Sequence, residues 1–226
     1  MKKIILFVSF LILSCNSDLK SDNPILNFQN ELIENEVTGS NVFKMVKEGK
    51  IIYNQVVNSG KLGDKDINDQ TIFPIWSMSK PITTVAMMVL YDRGLFKLQD
   101  NISKYLPEYE NVKCKGEDGI YPCKNKIKVI DLLTHRSGYT YYSDVYGENK
   151  FISPPSPTNK FTSSYHFDNL DDFSKAVANQ PLEFEPGSHY IYGLNQAILG
   201  RLIEVLSGVS FYDFLKVNLF DPMDMT

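Results

Sequence analysis

The sequence predicts an α+β protein in which a pair of strands comes first and helices follow. Val42-Phe43-Lys44-Met45-Val46 and Ile51 to Val57 flank Lys47-Glu48-Gly49-Lys50, the pattern of two short strands joined by a tight turn containing glycine. Ile82 to Leu90 is almost continuously apolar and stops at Gly94, which marks a deeply buried helix opening near Ser77. Further on, Ile198, Leu199, Leu202, Ile203 and Leu206 recur at helical spacing up to Gly208.

Between these, the stretch from Gln99 to about Asn169 is rich in Tyr, Pro, Gly, Ser and Lys. It reads as a loop-heavy or small helical subdomain, with helical turns expected only around Val129–Leu133. Asn169 is a helix cap ahead of Leu170, Phe173, Ala176 and Val177, with Pro181 just beyond the end. Ser210 followed by Asp213 approximates a capping box for a last helix that carries Phe211, Phe214, Leu215 and Leu219. Only two strands are expected, and two strands alone make a marginal sheet.

Composition bounds the function. Hydrophobic residues are 43% and charged residues 22% of 226, and Gly 13 and Pro 11 are ordinary numbers, which excludes disordered, collagenous and coiled-coil chains. Lys+Arg 23 against Asp+Glu 27 leaves a net charge of −4 with no basic block, so nucleic acid is not an expected partner.

Residues 1–14 read as an export signal: Lys2 and Lys3, then an apolar run from Ile4 to Leu13 too short to span a bilayer. The run ends Ile12-Leu13-Ser14-Cys15, which resembles a bacterial lipobox whose cysteine is lipidated after cleavage; an ordinary signal peptide and a buried N-terminal strand are the alternatives. The expected layout is a polar tether over 15–35 and a domain over 36–226. The product would be an exported lipoprotein anchored in a membrane and facing the periplasm or cell surface. In that compartment Cys114 and Cys123, which flank the turn-rich Lys115-Gly116-Glu117-Asp118-Gly119, form a plausible disulfide. Two unpaired thiols are the alternative, and a metal is not expected, because neither a CxxC spacing nor a nearby histidine pair is present.

The sharpest chemical feature is Trp76-Ser77-Met78-Ser79-Lys80-Pro81. Ser77 and Lys80 stand at i and i+3 at the start of the apolar helix, so their side chains share one face. A serine hydroxyl needs a base to become a nucleophile, and a lysine in a water-poor site can have its pKa lowered enough to serve. The bland alternative is a capping serine beside a solvated lysine.

The segment Thr71 to Thr83 resembles the active-site region of the serine β-lactamase-related superfamily, which includes class C β-lactamases, D-alanyl-D-alanine carboxypeptidases and esterases of the same fold. The similarity continues through Gly94-Leu95, Leu98-Gln99-Asp100, Tyr105-Leu106-Pro107, Asp131 to Gly138 and Glu185-Pro186-Gly187. It implies an antiparallel sheet flanked by helices, with a mostly helical subdomain. It also implies that Ser77 is the acylated nucleophile, that Lys80 is its basic partner, and that Tyr192 of Tyr192-Gly193-Leu194 is the general base or proton relay, with Tyr190 as the competitor. His135, in Leu133-Thr134-His135-Arg136-Ser137-Gly138, is read as structural. No cofactor is called for.

Two departures stand out. Leu194 replaces the Asn of the family's Tyr-x-Asn triplet, and Asn195 falls one residue late. A leucine offers no hydrogen bond to a substrate amide, which puts an ester first, a β-lactam second and a D-amino-acid peptide third among substrates. The family's third motif, a Lys or His with Gly on a sheet strand, is not found, nor is the strand whose N–H would complete an oxyanion hole with that of Ser77. The chain therefore reads as the N-terminal part of such a fold. The rival expectation is a catalytically silent or truncated lipoprotein that binds a cell-wall or peptide-like ligand.

Overall fold

The computed structural model describes residues 22–143, 150–152 and 167–225. The expected signal segment and Cys15 lie outside the described residues. The chain divides into two compact units, one ending at Pro74 and one beginning at Ile75.

In the first unit, helix α1 (Pro24–Glu34) is followed by strands β1 (Asn41–Lys47) and β2 (Lys50–Val57). The helix corrects the expected tether over 15–35. Asn23 caps it by accepting from the N–H groups of Ile25 and Leu26, and Pro24 stands at the first position, where no N–H is missed. Behind this cap Ile25, Phe28, Leu32 and Ile33 recur at helical spacing, a signal that the tether reading passed over. Gln29, buried, donates to Asn41 Oδ1 at 2.8 Å and to the Gln55 carbonyl at 3.2 Å, which ties the helix to both strands. The strands pair antiparallel with Lys47 opposite Lys50. Glu48 (φ 50°) and Gly49 (φ 72°) make the two-residue turn, whose doubly left-handed backbone matches the twist of a hairpin.

A loop closes this unit on one carboxylate. Asp64 accepts from the hydroxyls of Ser59 (2.5 Å) and Ser40 (2.7 Å) and from the Ser40 N–H (2.6 Å). These bonds, led by the one from Ser59, hold its pKa at about 2, below the ordinary 3.8.

The second unit is built around helices α2 (Ser79–Asp92) and α5 (Asn195–Ser207), which pack against each other. A single 3-10 turn, Trp76–Met78, leads into α2. The helix is buried along one stripe, Thr83, Ala86, Met87 and Leu90, while Val85 is exposed; the expectation of a deeply buried helix holds for that stripe. Around this pair lie α3 (Val129–Leu133), α4 (Leu170–Ala178) and α6 (Phe211–Leu215). Asn169 accepts from the Asp172 N–H to cap α4, Ser210 accepts from the Asp213 N–H to cap α6, and Gly208 (φ 75°) ends α5, as the residue types predict.

In the middle of the chain α3 forms where helical turns are expected. Beside it and two 3-10 turns, the described residues hold antiparallel strand pairs that the sequence reading did not include, β3 (Lys113–Gly116) with β4 (Gly119–Pro122), and β5 (Tyr142–Ser143) with β6 (Lys150–Phe151). The strands are too short for a period to register in the sequence. A disulfide joins Cys114 to Cys123 across the first hairpin. Cys114, fully buried, bridges in parallel to Leu182: Leu182 N–H donates to the Lys113 carbonyl (2.7 Å) and Lys115 N–H to the Leu182 carbonyl (2.8 Å). The core joins Met87, Leu106, Leu132, Phe173, Leu194 and Ile198.

Because the folded pKa of Asp64 lies below its unfolded value, its contribution to stability is present above about pH 4 and is lost as the pH falls toward 2. Asp64→Asn is therefore expected to be less stable than the wild type at neutral pH, with the difference in melting temperature closing between about pH 4 and pH 2; calorimetry across that range checks it.

Candidate active site

Ser77, Lys80 and Tyr192 converge. The Lys80 ammonium donates to Ser77 Oγ at 3.1 Å, and the Tyr192 hydroxyl donates to the same oxygen at 2.7 Å. The helical offset of three residues places the lysine beside the serine. Tyr192 arrives from the turn before α5. Trp76, the residue ahead of the serine, is held at φ 46°, a conformation that costs a bulky side chain about 1–3 kcal/mol. The strain sits where the chain changes from loop to 3-10 turn, and it sets the direction in which Ser77 leaves the backbone. Ser77 is exposed.

Lys80 also faces two aromatic rings, with Nζ 4.6 Å from the centre of Tyr192 and 5.7 Å from that of Tyr141. Both rings present electron-rich faces to the cation. Partial burial pulls the Lys80 pKa down, but hydrogen bonds to Tyr192 and Tyr141 outweigh it, and the net shift is upward from 10.5. This corrects the expected depressed lysine: its neighbours stabilise the charged form. The counterpart appears at Tyr192, where burial alone would raise the phenol, yet the hydrogen bonds from Lys80 and with Ser77 and the lysine's charge bring it below 10. The group made easier to deprotonate is the phenol.

Of the two tyrosines weighed as bases, Tyr192 bonds Ser77, while Tyr190 is 65% exposed and lies edge-on to His135 with ring centres 6.0 Å apart. Leu194 is buried in the core, so no amide from that position enters the site. Asn195 does not replace it. Its side chain is fully buried, accepting from Ser137 Oγ at 2.5 Å and facing His135 Nδ1 at 3.0 Å.

One residue escaped the sequence reading. Tyr141 closes the far side of Lys80, and its ring lies 5.6 Å from that of Tyr192. The signal available was the aromatic density of Tyr139-Thr140-Tyr141-Tyr142 just after the His135 motif. His135 itself stacks on Tyr192 with ring centres 4.9 Å apart and planes 27° from parallel. His189 is placed elsewhere, paired with Ser188 Oγ at 2.9 Å. Among the described residues, one group of potential metal ligands lies close together, Cys114, Cys123 and Glu185, and its two sulfurs are joined in the disulfide.

The beta-lactamase family model matches residues 31–226. The chain belongs to the beta-lactamase family. Among the relatives of this chain, esterase EstB of Burkholderia gladioli is 27% identical over 204 residues, which is 88% of this chain and 48% of EstB. The acyltransferase mokF of Monascus pilosus is 27% identical over 157 residues, 66% of this chain and 36% of mokF. The solved structure of EstCE1, described as a hydrolase with promiscuous acyltransferase activity, superposes with a TM-score of 0.70 at 22% identity, covering 88% of this chain and 50% of that one. That likeness establishes the β-lactamase-type α+β fold. The chain spans about half or less of the length of these relatives.

Gly193 fixes the height of Tyr192 above the serine. A Cβ there would lie 2.1 Å from the Tyr139 carbonyl oxygen and 2.8 Å from Thr140 Cα, both backbone atoms that cannot swing away. Gly193→Ala is expected to cost about 1–3 kcal/mol from overpacking and to move Tyr192 off Ser77. Thermal melting and the rate of covalent modification of Ser77 read the two effects separately.

Proposed function

We propose that the protein is a serine hydrolase that cleaves esters through an acyl-enzyme on Ser77. The observation that carries the reading is the convergence of an ammonium and a phenol with a lowered pKa on one serine oxygen. Once Tyr192 has lost its proton, the bond to Ser77 reverses, and the phenolate accepts the Ser77 proton as Oγ attacks the ester carbonyl. Lys80 stays charged and stabilises the phenolate beside it. When the tetrahedral adduct collapses, the carbonyl–alkoxy bond breaks and the proton passes from Tyr192 to the departing alcohol. Water then attacks the acyl-serine, gives a proton to Tyr192, and releases the carboxylic acid as Ser77 recovers its hydrogen.

Leu194 supports an ester over an amide. With Leu194 turned into the core, no side-chain amide from that position reaches a substrate amide, while an ester has no N–H to leave unpaired. A β-lactam and a D-amino-acid peptide follow in that order. The relative EstB, an esterase, supports ester chemistry, and the acyltransferase mokF and EstCE1, a hydrolase with promiscuous acyltransferase activity, support acyl transfer beside hydrolysis. The N-terminal sequence supports a further part of the proposal: lipidation at Cys15 and display on the periplasmic or outer face of a membrane.

A fluorophosphonate probe is expected to add one adduct to the wild type and none to Ser77→Ala. With Tyr192→Phe or Lys80→Ala the labelling rate falls by about 100-fold or more. In the wild type the rate rises with pH toward an apparent pKa below 10, as Tyr192 loses its proton, and that limb is absent from Tyr192→Phe. A folded wild type that takes no label favours the silent, ligand-binding lipoprotein. Separately, metabolic labelling with palmitate is expected to mark the wild type and leave Cys15→Ser unmarked.

A further inference from the structure

His135 grips Tyr192 from both sides of the chain. Its carbonyl accepts the Ile191 N–H at 3.0 Å, and its Nδ1 accepts the Gly193 N–H at 3.4 Å, so the residues on either side of Tyr192 are bonded to the same histidine. The imidazole face lies on the Tyr192 ring. The left-handed backbone of His135, φ 55°, is what lets one residue present its carbonyl and its side chain to the same short segment.

The direction of the bonds behind this grip is fixed. Tyr139 N–H donates to Ser137 Oγ at 3.2 Å, which frees the Ser137 hydroxyl hydrogen for Asn195 Oδ1 at 2.5 Å. With its oxygen taken, Asn195 turns its amide nitrogen to His135 Nδ1 at 3.0 Å. Nδ1 thus receives two N–H donors, and in the neutral ring the proton sits on Nε2. An imidazolium would place a hydrogen where these donors point. Burial, and secondarily the charge of Lys80, push the His135 pKa down, consistent with the acceptor form.

We propose that His135 is the positioning residue for Tyr192: through a one-way relay from Tyr139 N–H by Ser137 and Asn195 to its Nδ1, and through its ring face, it holds the phenol over Ser77. The inference rests on the reading of Tyr192 as the base. It also gives Asn195 a use: the amide that falls one place late in the sequence serves the histidine instead of the substrate.

Two substitutions separate acceptor from ring. His135→Asn places an amide oxygen near the position of Nδ1 and tolerates the left-handed backbone, whereas His135→Phe keeps a ring without an acceptor. With a fluorophosphonate and a p-nitrophenyl ester as probes, His135→Phe is expected to lower the labelling rate and kcat by about 100-fold, in line with a misplaced catalytic group, at nearly unchanged KM. His135→Asn is expected to recover most of that loss. The phenolate absorbance attributable to Tyr192, taken as the difference from the matching Tyr192→Phe variant, is expected to titrate below 10 in the wild type and in His135→Asn, and to move up in His135→Phe. Should His135→Phe not fold, Ser137→Ala, which unpairs Asn195 without touching the ring, is expected to slow labelling about tenfold with the melting temperature held within a few degrees. The proposal is overturned if His135→Phe, or Ser137→Ala in its place, labels at the wild-type rate while Tyr192→Phe is slow, or if His135→Asn is as slow as His135→Phe. Wild-type labelling by Tyr192→Phe would sink the base reading instead.

Discussion

Tyr192 meets Ser77 across 115 positions of chain because the helices that follow each of them, α2 and α5, pack against one another. That packing is apolar, with Ala86, Met87 and Leu90 on one side and Leu194, Ile198 and Leu202 buried on the other. Ser77 and Tyr192 stand just ahead of the two helices and Lys80 in the first turn of α2, at the edge where the buried stripe ends. The site is therefore a by-product of core geometry, and its precision comes from whatever holds the two approach segments. For Ser77 that is the 3-10 turn with Trp76 in a left-handed conformation. For Tyr192 it is a ladder of backbone bonds, Glu183 N–H to the Gly138 carbonyl (2.9 Å), Gly187 N–H to that of Arg136 (2.8 Å) and Ile191 N–H to that of His135 (3.0 Å).

The electrostatics of the trio follow from partial exposure. A lysine sunk fully in apolar surroundings would surrender its proton, but Lys80 is only half-buried and bonds to Tyr192 and Tyr141, so the charged form wins. Keeping that charge is useful. An ammonium beside a phenol makes the phenolate accessible at lower pH, and the proton then leaves from the oxygen 2.7 Å from the serine rather than from the nitrogen 3.1 Å away.

The disulfide hairpin belongs to the same frame. Cys114 lies in the core and its strand pairs with Leu182, the start of the segment that runs to Tyr192. Lys115 and Glu183 add an ion pair at 2.6 Å, and Glu185 accepts from the backbone N–H groups of Lys124 and Asn125 at 3.0 Å, which holds the far arm of the hairpin to the same segment. What looks in the sequence like a loop-rich insertion is a brace laid along the approach to the site.

The residue pattern by itself determined the hairpin with its Glu48-Gly49 turn, the positions of α2, α4, α5 and α6, and the pairing of Ser77 with Lys80, because each depends on neighbours within a few positions: periodicity, a cap, or an i, i+3 offset. It missed α1, although Asn23, Pro24 and the spacing of Ile25, Phe28, Leu32 and Ile33 were all local signals for it, and the short strands β3 to β6, whose formation depends on partners at a distance. The approach of Tyr192, which the resemblance already put ahead of Tyr190, to within 2.7 Å of Ser77, the burial of Leu194, the engagement of Asn195 by Ser137 and His135, and the upward shift of Lys80 depended on the tertiary structure. Their common physical reason is that hydrogen bonding, burial and pKa are set by which groups face one another after the helices pack, and those pairs lie up to 115 residues apart.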